Sequence, residues 1–174
     1  MEKNINYNSL RVKDILILDN NDYSISLIEK IIKLGEEIGE MSTAKTYLTL
    51  KEYVEETYDA FNISIAVYNT IKGMDINIDF LKTAINNVKA DNKLENAIPI
   101  FYGKICASLL LKMDANNKSR TSKNIDIESY TFELILLLVS QLKYIIEDGI
   151  LFDMMVESKL KKWKEKQEEY FEQE

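Results

Sequence analysis

Two short acidic patterns contain the residues of this sequence that are best suited to chemistry. The first is E-E-x-x-E, with Glu36, Glu37 and Glu40, and the second is E-x-x-D, with Glu56 and Asp59. Residues three apart on a helix lie on one face, with Cβ atoms roughly 5–6 Å apart, so each pattern can present two carboxylates side by side. Four facing carboxylates repel one another unless a cation lies between them. The patterns therefore predict a site for one or two Mg²⁺ ions, with Mn²⁺ as the alternative cation.

The absence of histidine narrows the chemistry further. It excludes Ser-His-Asp and Cys-His catalysis, most catalytic zinc sites and the Glu-x-x-His ligands of di-iron bundles. A metal in this chain must be bound by oxygen atoms, which suits magnesium, manganese or calcium. The single cysteine, Cys106, cannot form an internal disulfide, and its apolar neighbours predict a buried, unreactive thiol.

The composition predicts a helical protein with a hydrophobic core. Of the 174 residues, 46% are apolar, and only five are glycine and one is proline. The net charge of −7 argues against nucleic acid and against an anionic membrane as partners. It is compatible with a phosphate substrate, because a bound divalent cation reverses the local field. The sequence lacks the features of a signal peptide, and its most apolar run is too short to span a membrane, so we expect a cytoplasmic protein.

The acidic patterns fall on two predicted helices joined by a short turn. The first helix begins near residue 21 and has an apolar stripe at 3.6-residue spacing. The stripe consists of Leu27, Ile31, Leu34, Ile38 and Met41, and is widened by Ile28 and Ile32. The second begins at a capping box, Thr49 with Glu52, and runs to about Lys72, where Gly73 stops it. A short connection at residues 47–50 predicts antiparallel neighbours, which brings the two acidic pairs to the same level.

The rest of the chain is also predicted to be helical, after an N-terminal segment that is either a short strand or a packed arm at residues 15–18. Further helices are predicted at about residues 79–94, from Pro99 to about 113, and at about 126–147 and 149–170, with a polar loop at 114–125.

The acidic patterns resemble the motif of the MazG-like all-α nucleoside-triphosphate pyrophosphohydrolases, a superfamily that includes dimeric dUTPases and phosphoribosyl-ATP pyrophosphohydrolase. The order of the two patterns matches, and fifteen residues separate Glu40 from Glu56. The resemblance covers about residues 22–95. It implies a MazG-like helical bundle with additional C-terminal helices. The corresponding division is an arm at 1–21, a metal-binding module at 22–95, and an extension at 96–174 that packs on the module or forms an oligomer interface.

The resemblance also implies roles for individual residues. The metal ligands would be Glu37, Glu40, Glu56 and Asp59. Glu36 would orient the attacking water or hold a second metal, and Glu36 or Glu40 would accept the proton of that water. Phosphate would be bound by polar residues of the third helix, for which the candidates are Asn86, Asn87, Lys89 and Lys93.

The positions of two further residues beside the acidic patterns also indicate roles. Asn62 lies one turn beyond Asp59 and is expected to face the base or sugar. Lys33 either binds phosphate or offsets the charges of Glu36 and Glu37.

The expected function is Mg²⁺-dependent hydrolysis of a nucleoside triphosphate to the monophosphate and pyrophosphate by a homodimer or homotetramer. Two alternatives stay open from the sequence. One is a nucleotide-binding module that has the fold but does not turn over substrate. The other is a structural helical bundle, in which the C-terminal helices assemble oligomers and the carboxylates form a solvated helix face.

Overall fold

A computed structural model describes residues 25–91, 96–118 and 126–145, together with Lys161 and Glu165. These residues contain helices and no β-strand, so the prediction of an all-α protein is confirmed. The helices are α1 (Leu27–Tyr47), α2 (Leu50–Lys72), α3 (Ile78–Asn87), α4 (Ala97–Lys118) and α5 (Ile127–Ile145). The predicted arm at 1–21 lies outside the described residues, as does the predicted last helix at 149–170 apart from Lys161 and Glu165.

Helix α1 begins at Leu27, later than the predicted start near residue 21. Ser26 has extended backbone dihedral angles and caps the helix. Its hydroxyl accepts a hydrogen bond from the Glu29 backbone N–H, and the Glu29 carboxylate accepts one from the Ser26 N–H. This reciprocal capping box fixes the first turn at Leu27. The S-x-x-E signal was present in the sequence.

Helix α2 begins and ends as predicted. The Thr49 hydroxyl accepts a hydrogen bond from the Glu52 N–H, and the Glu52 carboxylate accepts one from the Thr49 N–H. Gly73 follows the last turn with φ 65°, a left-handed conformation that favours glycine. The α1–α2 connection consists of Leu48 and Thr49, and the two helices pack against each other as antiparallel neighbours, also as predicted.

Helix α3 is shorter than its prediction, because side chains of α5 bind the backbone that follows it. The Ser140 hydroxyl donates to the Lys89 carbonyl and accepts from the Asp91 N–H. Lys143 donates to the Val88 carbonyl. These contacts hold residues 88–91 in a non-helical path, although the local sequence pattern continues to favour a helix.

Helix α4 is longer than predicted. It begins at Ala97, so Pro99 lies within its first turn, where a missing N–H costs little. It continues to Lys118, and the predicted loop at 114–125 is therefore wrong for residues 114–118. The remainder of that loop lies outside the described residues.

The helices pack in the order α1, α2, α5, α4 around one hydrophobic core, with α4 also touching α1 and with α3 beside α5. Helix α2 is the most enclosed, because α1 and α5 both pack extensively against it. The predicted stripe of α1 is buried from Ile31 to Met41, but Ile28 and Ile32 do not widen it. Their side chains are exposed, because they lie on the side of α1 that faces away from α2.

No helix within the described ranges combines the length and the apolar character needed to cross a membrane.

Candidate metal centre

Three carboxylates from two helices converge at the α1–α2 interface. Glu37 of α1 and Glu56 and Asp59 of α2 each offer an oxygen, and these oxygens all lie within 4.8 Å of one another. Glu37 and Asp59 are buried and Glu56 is partly buried. The helix pair therefore brings together residues from both acidic patterns, as their spacing predicted.

The register of the two helices determines which residues meet. The buried Lys30 donates a hydrogen bond of 3.1 Å from Nζ to the Thr70 hydroxyl, which ties the start of α1 to the end of α2. Glu37 follows Lys30 by seven residues and lies on the same face of α1, so this contact helps to turn Glu37 towards α2.

Lys33 forms an ion pair with Glu37 one turn along α1. Its Nζ lies 2.8 Å from Glu37 Oε1 and 3.1 Å from Glu36 Oε2. Burial lowers the pKa of Lys33, but these two carboxylates raise it by more, and the net shift is upward. Lys33 thus offsets the charges of Glu36 and Glu37, which is one of the two roles that the sequence left open. Its binding of phosphate stays a prediction.

The charge on Glu37 is disfavoured despite this ion pair. Burial raises the pKa of the Glu37 carboxyl above its ordinary value. The hydrogen bond and the positive charge of Lys33 oppose that shift, while repulsion from Asp59 and Glu40 adds to it. The net direction is upward, so the ionised form of Glu37 is less favourable in the folded chain than in water.

The other two carboxylates of the first acidic pattern lie outside this cluster. Glu36 and Glu40 are exposed, and Glu40 influences Glu37 through its charge. Residues three apart on a helix share a face but differ by about 60° in direction. For this reason Glu37 points into the interface while Glu40 lies at its rim. The structure therefore brings together three of the four predicted metal ligands.

The cluster has the ligand chemistry of a hard divalent cation. Its donors are carboxylate oxygens, which magnesium, manganese and calcium prefer. These ions bind oxygen at about 2.0–2.6 Å, so two ligands on opposite sides of one ion lie about 4–5 Å apart. The carboxylate oxygens of Glu37, Glu56 and Asp59 lie within 4.8 Å of one another, which is compatible with binding to a single ion.

Asn62 adds an unsatisfied amide next to the cluster. It follows Asp59 by three residues on α2, and its side chain is only 3% exposed. Neither Oδ1 nor Nδ2 has a hydrogen-bond partner within the described part of the chain. Leaving a buried polar group unpaired costs about 1–3 kcal/mol. The expected contact of Asn62 with a base or sugar stays a prediction.

The candidate phosphate-binding residues of the third helix are only partly described. Asn86 and Asn87 lie at the end of α3 and Lys89 just after it, and all three are exposed. Ser140 holds the Lys89 carbonyl, while the adjacent Gln141 donates from Nε2 to the Tyr53 hydroxyl on α2, 2.9 Å away. Since Tyr53 lies one turn before Glu56, these contacts place Lys89 and Glu56 towards the same end of the bundle. Lys93 lies outside the described residues.

Two structural contributions to the site were not predicted. Lys30 sets the α1–α2 register, and the available signal was its seven-residue spacing from Glu37, which puts both on one helix face. The buried Tyr53–Gln141 hydrogen bond joins α2 to α5. It links residues far apart in sequence, so no local pattern could indicate it.

Comparisons with protein-family models, curated proteins and solved structures found no match to this chain. The resemblance to the MazG-like enzymes therefore depends on the two acidic patterns and the residues around them.

Proposed function

We propose that this protein is a Mg²⁺-dependent nucleoside-triphosphate pyrophosphohydrolase, which produces a nucleoside monophosphate and pyrophosphate. The observation that carries the proposal is the convergence of Glu37, Glu56 and Asp59 at the α1–α2 interface. Their order and spacing in the sequence also resemble the motif of the MazG-like enzymes. Mn²⁺ is the expected substitute cation.

In this proposal the carboxylates have two kinds of role. Glu37, Glu56 and Asp59 hold the cation, which supplies positive charge to the phosphate oxygens and acidifies water. Glu40, which is exposed and one turn from Glu37 on α1, or Glu36 would accept the proton of the attacking water. Hydrolysis breaks one phosphoanhydride bond and releases pyrophosphate. Such reactions depend mainly on positioning and charge neutralisation, so they do not require histidine.

A nucleotide-binding module without turnover is the second candidate. It is favoured by the exposure of Glu36 and Glu40, since a proton acceptor is effective only when it lies within reach of the water. In this case the carboxylates of the cluster would bind a cation and a nucleotide, and no product would form.

The experiment that separates these candidates uses the purified full chain with Mg²⁺ and a panel of canonical, deoxy and modified triphosphates. The hydrolase proposal expects pyrophosphate and monophosphate from at least one of them. Glu56→Gln should abolish the products. Glu55→Gln is the matched control, because the neighbouring Glu55 pairs with Lys51 outside the cluster and should retain turnover. Mg²⁺-dependent nucleotide binding without product would favour the second candidate.

We further propose a cytoplasmic homodimer or homotetramer. Support comes from the exposed apolar side chains of two helices, which a partner subunit would cover. They are Ile28 and Ile32 on α1, and Ile100, Leu110 and Leu111 on α4. Sedimentation equilibrium of the full chain tests this proposal, and a monomer at micromolar concentration would contradict it.

A further inference from the structure

The Asn62 amide makes no hydrogen bond within the described part of the chain. An amide side chain offers one acceptor oxygen and two N–H donors. In Asn62 both polar atoms are buried and have no hydrogen-bond partner among the described residues. Most buried polar side-chain atoms in proteins are hydrogen-bonded, and an exception requires an explanation such as an ion or a bound molecule.

Other buried amides of the bundle have a structural role that Asn62 lacks. Asn69 accepts a hydrogen bond from the Ile76 backbone N–H with Oδ1, which secures the turn after α2. Gln141 donates from Nε2 to the Tyr53 hydroxyl between α5 and α2. Each uses one of its polar atoms in the fold, whereas Asn62 uses neither.

The position of Asn62 relates it to the carboxylates. It is three residues from Asp59, so the two Cβ atoms lie roughly 5–6 Å apart on the same side of α2. The Glu37 and Asp59 carboxylate oxygens lie within 4.8 Å of each other, so Asn62 is about one helical turn from the level at which they meet. The buried amide is therefore one turn from Asp59 along α2 and close to the level of the carboxylate cluster.

We propose that Asn62 is a neutral oxygen ligand of the cation held by Glu37, Glu56 and Asp59. This inference rests on the cation site of the proposed function and extends it by one residue. Amide oxygens bind magnesium, manganese and calcium in proteins, as carboxylates do. A neutral ligand completes the site without adding a fourth negative charge that would repel a phosphate. The Nδ2 group then remains free to donate to an anionic oxygen.

The test measures Mn²⁺ binding to the full chain without nucleotide, by calorimetry or by the electron paramagnetic resonance signal of free Mn²⁺. Asn62→Leu removes the oxygen at similar volume and should weaken Mn²⁺ binding at least about 10-fold. Asn62→Asp keeps an oxygen at the same position and should bind Mn²⁺ at least as tightly as the wild type. Thr57→Val is the control, because the Thr57 hydroxyl is buried and donates to the Tyr53 carbonyl, so its loss should leave the Mn²⁺ Kd unchanged.

Several outcomes would overturn the proposal. An unchanged Mn²⁺ Kd in Asn62→Leu would do so, as would an Asn62→Asp variant that binds as weakly as Asn62→Leu. A change confined to the KM for nucleotide would make Asn62 a substrate contact instead. Wild-type protein that binds no Mn²⁺ would overturn both this inference and the proposed function. Wild-type protein that binds Mn²⁺ without hydrolysing any triphosphate would contradict the hydrolase proposal alone. The Mn²⁺ affinities of the Asn62 variants would still test whether Asn62 is a ligand.

Discussion

A carboxylate oxygen of Glu37 on α1 lies within 4.8 Å of one from Asp59 on α2, and both side chains are buried. The packing of two antiparallel helices holds these like charges together. Burial, with repulsion from Asp59 and Glu40, raises the pKa of Glu37, and Lys33 offsets this unfavourable energy only in part. A bound divalent cation would relieve the remainder, so the arrangement is costly without a ligand and favourable with one.

The first prediction concerns the stability of the metal-free chain. The pKa of Glu37 lies above its ordinary value, so folding favours the protonated form and the ionised form destabilises the folded chain. Glu37→Gln imitates the protonated form. We therefore expect it to melt at a higher temperature than the wild type at pH 7–8 with EDTA present, by about 2–4 °C for each kcal/mol gained. The difference should disappear below about pH 4.5, where the carboxyl is protonated in both states. A lower melting temperature at neutral pH would mean that the Lys33 ion pair dominates.

The second prediction concerns pH and metal together. Protons compete with a cation for Glu37, and the raised pKa moves this competition to higher pH than at an ordinary carboxyl group. The rise in melting temperature caused by a fixed Mg²⁺ concentration should therefore increase from pH 5 to pH 8. Scanning calorimetry with and without Mg²⁺ at each pH measures this rise in melting temperature. In Glu37→Gln the rise should be small and nearly independent of pH, and a pH-independent effect in the wild type would exclude Glu37 as a ligand.

The third prediction separates the buried cluster from its rim. Asp59→Asn should abolish the Mg²⁺-induced rise in melting temperature, because the Asp59 carboxylate is part of the buried cluster. Glu40→Gln should retain most of that rise but lower kcat by about 100-fold or more, as expected for loss of a proton acceptor. The loss of metal binding in both variants would place Glu40 among the ligands. Equal turnover in Glu40→Gln and the wild type would remove it from the mechanism.

The fourth prediction tests the contact between α1 and α4. A Cβ added to Gly35 would lie 2.6 Å from Tyr102 Cζ and 3.2 Å from its Cε1, so the ring would have to move. Gly35→Ala should destabilise the protein by about 1–3 kcal/mol in urea denaturation. Gly39→Ala is the control, since no atom lies within 4 Å of its added Cβ, and it should stabilise by about 0.5–1 kcal/mol.

The double variant Gly35→Ala with Tyr102→Leu should recover part of the stability that Gly35→Ala loses, when compared with Tyr102→Leu alone. No difference in stability between Gly35→Ala and Gly39→Ala would contradict the close approach of α4 to α1.

Local signals were sufficient to predict the helix pair that carries the site. Thr49 and Gly73 act through contacts within a few residues, so the limits of α2 could be read from the sequence. The turn between α1 and α2 is short, which makes the helices antiparallel neighbours and brings Glu37 towards Glu56 and Asp59.

Tertiary contacts determine the burial of individual side chains and the end of α3, which local sequence patterns did not predict. The spacing of the E-E-x-x-E pattern does not predict any difference in burial between Glu37 and Glu40. The rotation of α1 against α2 buries Glu37 and leaves Glu40 exposed. The same rotation leaves Ile32 exposed, although it is apolar and lies beside the stripe. Helix α3 ends early because Ser140 and Lys143, more than fifty residues along the chain, bind the backbone after it.

The most direct test of the central claim measures pyrophosphate release and Mg²⁺ binding in the wild type and in Asp59→Asn, across the triphosphate panel. The account predicts Mg²⁺-dependent release of pyrophosphate and monophosphate from at least one triphosphate by the wild type. It also predicts the loss of both Mg²⁺ binding and product in Asp59→Asn, with the helical circular dichroism signal retained. Turnover in Asp59→Asn equal to that of the wild type, or the absence of Mg²⁺-dependent product from every triphosphate, would contradict it.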